Sequence, residues 1–126
     1  MILPLDYSEI PGFENLYLED SFVMDIVARP GELTIIAELV LTPGHHWYAP
    51  PKPGEQYCYR RGSIRFSPVS HLSWSHQGTP PAVDAGGESD FGGIDSLRVD
   101  GENYFLEGDW GQIELSGTTP VVLLTS

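Results

Sequence analysis

The chain carries one cysteine, Cys58, in 126 residues. A lone thiol cannot close an internal disulfide and cannot by itself build a thiolate metal site, so a disulfide-stapled fold and a cysteine–zinc framework are both excluded. Nothing then supports an oxidising compartment. Positive charge is scarce as well: six Lys and Arg stand against eighteen Asp and Glu, for a net charge of −12 and a pI near 4.4. A surface of that sign repels phosphate, which disfavours nucleic acid and anionic membrane as partners. No run approaches the roughly 18 apolar residues of a membrane span. The opening MILPLDYSEI has neither the basic residues nor the apolar stretch of a signal peptide,. A cytoplasmic location is the expectation. Sustained three-and-four spacing with caps is also missing, so no helix longer than two turns is expected.

What remains is the material of strands. Hydrophobic residues make up 40% of the chain, enough for one core, and the length fits a single domain over 1–126,. Residues 1–15, with Pro4, Pro11 and Gly12, read as an extended arm laid on the body,. Phe22, Met24, Ile26 and Ala28 alternate with their neighbours. After Arg29-Pro30-Gly31-Glu32 the alternation resumes at Leu33, Ile35, Ala37, Leu39 and Leu41. Period two on both sides of a turn is a hairpin, and Pro-Gly at the centre is the type II turn signature. Further strands are expected at 56–66, with a bulge at Gly62, at 69–76, and in a meander from Ile94 through Asp100-Gly101 and Gly108-Asp109-Trp110-Gly111 to Leu115. A last strand or tail lies in 118–126. The stretch 78–93 holds too many Gly and Pro for regular structure,. The expected fold is all-β: an antiparallel sandwich or partly open barrel of seven to eight short strands. Its expected core is Phe22, Met24, Ile26, Leu33, Ile35, Leu39, Ile64, Phe66, Leu72, Trp74, Leu97, Val99, Leu106 and Ile113.

One segment departs from the rest. Thr42 to Phe66 holds four of the six basic residues, four of the eleven prolines and the only cysteine. A proline-stiffened loop lowers the ordering cost of binding, and aromatic side chains supply contact area. His46, Trp47, Tyr48, Lys52, Tyr57, Tyr59, Arg60 and Arg61 are therefore the candidate binding surface. Arg60, Arg61 and Arg65 beside the two tyrosines suit a carboxylate or phosphate, because guanidinium forks hold such groups in pairs of hydrogen bonds. The competing account is that these arginines neutralise carboxylates on neighbouring strands. Complementary charge points to an acidic protein surface or a small anionic ligand. His45 and His46 with Glu55 form the alternative, a metal-dependent enzyme, although adjacent histidines in extended chain point opposite ways. Cys58 alternates with Ile64 and reads as inward. Nucleophile, base and anion-stabilising group occur in no recognised spacing, so neither catalysis nor a cofactor is expected. The apolar Val121–Leu124 at a sheet edge also allows a homodimer or a self-associating structural role.

The runs ENLYLEDS at 14–21, PPKPGEQYCYRRG at 50–62 and LEGDWG at 106–111 resemble those of small uncharacterised bacterial all-β proteins. The resemblance implies a bacterial origin and assigns no activity and no catalytic residue. Size and acidity give a looser likeness to the small immunity proteins of toxin systems, at the level of analogy.

Overall fold

The computed structural model describes residues 4–76 and 90–125, with the backbone of 82–83 and 89. Its strands are β1 (Leu5–Asp6), β2 (Leu16–Arg29), β3 (Glu32–Leu41), β4 (Cys58–Phe66), β5 (Val69–Ser75), β6 (Ala82–Val83), β7 (Ser89–Asp90), β8 (Ser96–Asp100), β9 (Asn103–Gly108), β10 (Gly111–Gly117) and β11 (Val121–Leu124). They form an antiparallel sheet in the order β1-β8-β9-β10-β5 (sheet A), another in the order β11-β4-β3-β2 (sheet B), and the small pair β6-β7. The two sheets do not close into a barrel. The fold is all-β and sandwich-like, and no α-helix occurs among the described residues.

Alternation decides which faces meet. On β3 every second residue, Leu33, Ile35, Ala37, Leu39 and Leu41, is buried, and the register sets them against Phe66, Ile64, Gly62, Arg60 and Cys58 of β4. Sheet A contributes Leu97, Tyr104, Leu106, Ile113 and Leu115. Phe66 and Tyr104 meet edge-to-face across the interior, with ring centroids 5.4 Å apart,. Gly31 takes φ 76° in the β2–β3 turn, the positive dihedral expected at that position,. The arm is docked: β1 pairs with β8, and Ile10 and Phe13 are buried.

Several expectations are corrected. The seven or eight strands become eleven among the described residues, because the arm and the 78–93 stretch contribute β1, β6 and β7. The latter stretch thus contains a paired backbone despite its Gly and Pro content. Pro80, Pro81, Gly86 and Gly87 lie outside the described residues. Gly62 makes no bulge: its pairing to Ala37 and Leu124 is continuous. Its role is close approach, since a Cβ there would sit 2.7 Å from the Leu123 carbonyl oxygen.

The largest correction concerns β2. Phe22 is not in the core but 41% exposed, while Val23 is fully buried. The ladder with β3 slips twice, between Tyr17 and Phe22 and again between Val23 and Asp25. Each slip adds residues to one strand and reverses the alternation downstream. Leu16, Leu18 and Val23 therefore point inward before the second slip, and Ile26 packs against the core after it. Ser21, only 1% exposed, makes the first slip possible. Its hydroxyl accepts from the Val40 N–H at 2.9 Å and donates to the Tyr17 carbonyl at 2.8 Å, taking the place of strand backbone on both sides,.

Candidate functional site

The site is built where β11 stops short of the end of β4. β11 reaches Leu124 opposite Gly62, and the Thr125 N–H donates to the Arg61 carbonyl at 2.8 Å. Beyond that point Cys58–Arg60 has β3 on one side only. Peptide groups in a strand face alternate sides, so the Tyr59 N–H and C=O point, like those of Arg61, to the side that β11 no longer occupies. The loop between β3 and β4 folds over this gap. It is held by turns with N–H···O bonds from His45 to Thr42, Tyr48 to His45 and Glu55 to Lys52, each 2.9 Å, and by the Thr42 N–H to Asn15 carbonyl bond at 3.0 Å. Between loop and strand lies a pocket of about 120 Å³ lined by Ala49, Pro50, Lys52, Glu55, Tyr57, Cys58, Tyr59 and Arg60.

Arg60 lies opposite Leu39, on the inward-facing side of sheet B, at the end of the sandwich. Its Nε is buried and has no hydrogen-bond partner among the described residues. Arg61, one residue on, projects to the outer face. There it is 2.7 Å from the Glu38 carboxylate, its direct cross-strand neighbour. Arg65 pairs with Glu32 at 3.0 Å, and that hydrogen bond holds the Glu32 carboxyl below its ordinary pKa. Two of the three arginines of the segment are thus neutralised by sheet B itself.

The two tyrosines join an aromatic group that sequence reasoning missed. Phe22 stacks on Tyr59 with centroids 5.7 Å apart, Tyr17 meets Tyr57 edge-on at 6.0 Å, and Tyr57 meets Tyr59 at 6.1 Å. The Tyr57 hydroxyl donates to Asp20 at 2.7 Å, and this bond to a carboxylate pushes the phenol up to about 12. Burial and the charges of Asp20 and Glu55 raise Tyr59 too. Phe22 shares a face with Tyr17 only because of the first slip in β2, which no periodicity announces.

The candidate surface therefore divides. Lys52, Tyr57, Tyr59 and Arg60 line the pocket, but the Tyr57 and Tyr59 rings pack with Phe22 on the outer face that Arg61 also takes, and Arg60 alone of the three faces inward. Tyr48 packs against the core and Trp47 is 44% exposed. His45 and His46 stack at 4.9 Å, and the His45 Nδ1 accepts from the Trp47 N–H at 3.0 Å. Burial, aided by the charge of His46, depresses the His45 pKa. Glu55 lines the pocket with Lys52 and Arg60. No cluster of three or more His, Cys, Asp and Glu placed to hold a metal occurs among the described residues. Cys58 is buried and free.

No helix among the described residues is long and apolar enough to cross a membrane. No family model, curated protein or solved structure matches the chain.

Proposed function

We propose that the chain is a binding module that takes an acidic group, either a carboxylate on a partner surface or a small anion, into the pocket between the β3–β4 loop and Cys58–Arg60. The observation that carries this reading is the buried Arg60 Nε without a partner. A guanidinium group is always charged and offers five donors, and a buried donor left unpaired costs roughly 1–3 kcal/mol. A ligand acceptor at that position removes the cost. Lys52 adds a second cation, and with Glu55 as the one carboxylate the lining carries a net positive charge on a chain of net −12. At about 30 Å³ per water, 120 Å³ holds about four waters. That is room for one acid group and not for a drug-sized molecule.

The test is an NMR titration of the protein with acetate and with inorganic phosphate. The amides of Lys52, Tyr57 and Tyr59 shift and saturate, and Arg60→Gln weakens binding at least tenfold. Affinity falls as salt rises past roughly 0.1 M, where the screening length is about 10 Å. Absence of saturation with either anion, or shifts confined to other surfaces, refutes the proposal.

A further inference from the structure

The two large sheets end in four edge strands, β1 and β5 in sheet A, β2 and β11 in sheet B. Natural sandwiches protect such edges with charge, proline, bulges, shortness or cover. β1 is two residues long and contains Asp6. β5 follows Pro68 and exposes His71, Ser73 and Ser75. β2 slips twice and is covered, since the Val23 N–H donates to the Gly92 carbonyl and the Phe91 N–H to the Val23 carbonyl, both at 2.8 Å. β11 is short and follows Pro120, but it carries no charge and no bulge, and no described strand pairs with its open side. It is Val-Val-Leu-Leu in unbroken register with β4, and Val121 and Leu123 are 64% and 62% exposed.

We propose that two copies of this chain associate by antiparallel pairing of their β11 strands, so that sheet B of one continues into sheet B of the other. The Thr125 N–H bonds to Arg61, so Val121, Leu123 and Thr125 direct their peptide groups toward β4, and those of Val122 and Leu124 face the open edge,. A twofold axis at Leu123 sets Val122 opposite Leu124 of the second copy and the reverse. All four outward N–H groups and carbonyls in this register then find partners. The two Leu123 side chains meet directly as a non-hydrogen-bonded pair, the arrangement with the closest side chains. Charge selects this occupant: a chain of net −12 associates with itself only where carboxylates are absent,. β11 has none, and of its outer-face neighbours Ser63 is neutral and Arg65 neutralises the one nearby carboxylate, Glu32, at 3.0 Å. An antiparallel strand paired with itself is also a closed twofold contact, which stops at the dimer.

Light scattering across a concentration series shows the mass rising from 13.9 kDa toward twice that value. Leu123→Lys stays at the monomer mass with an unchanged far-ultraviolet spectrum, because the side chain it replaces is solvent-exposed. Leu123→Cys under mild oxidation gives a disulfide-linked dimer, whereas Val121→Cys, which this register places opposite Thr125 of the second copy, does not. Wild type, with Cys58 buried, is the control. A monomer mass held to about 1 mM, dimers that persist in Leu123→Lys, or crosslinking through Val121→Cys in place of Leu123→Cys overturns the proposal.

Discussion

Replacing Ser21 by Ala removes an oxygen and adds nothing, yet it attacks the device that turns Phe22 outward. The hydroxyl is the partner of the buried Val40 N–H and bonds the Tyr17 carbonyl, at 2.9 and 2.8 Å. Ser21 is 1% exposed and Val40 1%, so water does not substitute for the lost oxygen. An unpaired buried N–H costs roughly 1–3 kcal/mol and the lost bond to Tyr17 about 1 kcal/mol more. The expected destabilisation is thus about 2–4 kcal/mol. With a urea slope of roughly 1.5 kcal/mol per molar, the unfolding midpoint falls by about 2 M for the middle of that range. Tryptophan fluorescence in urea reads the midpoint, and amide exchange at Val40 reads the cause, because its protection is lost before that of Leu33 or Ile35. Ser21→Ala within about 0.5 kcal/mol of wild type at unchanged slope, a surface-like effect, refutes the assignment of Ser21 as the bond that holds the slip.

Two further outcomes follow from the same structure. Gly62→Ala places a Cβ 2.7 Å from the Leu123 carbonyl and 3.0 Å from the Leu124 side chain, so it costs about 1–3 kcal/mol and frees the β11 amides to exchange,; full β11 protection in the variant contradicts this. His45 titrates by NMR below the ordinary histidine value of about 6.5, because burial and the charge of His46 disfavour its cation. With the folded pKa below the unfolded one, the unfolded chain binds more protons in the window between them. The His45 contribution to stability is then complete above the ordinary value and declines as pH falls through that window. A midpoint at or above the ordinary value overturns this reading.

The strand content, the Pro-Gly turn, the meander from 96 to 117 and most of the core were legible in the sequence, because a half-buried strand writes its burial into a period of two. The pocket was legible in part: Lys52, Tyr57, Tyr59 and Arg60 stand out as basic and aromatic residues beside a proline loop. Arg60 and Arg61 read as one patch in the sequence, but adjacent strand residues face opposite sides, and only the pairing with Leu39 and Glu38 shows which of the two is buried. Phe22 was misplaced for a related reason. The face that a residue presents depends on every slip upstream of it, and the first slip in β2 is stabilised by a hydroxyl reaching the neighbouring strand, 19 positions along the chain. Likewise Gly62 looked like a bulge because a glycine in a strand marks either a bulge or a close approach. The sequence by itself determined which segments become strands, since that follows from local period and turn chemistry. Tertiary structure alone decided which face of each strand is buried, which arginine lacks a partner and which edge stays uncovered, because these depend on groups brought together from distant parts of the chain.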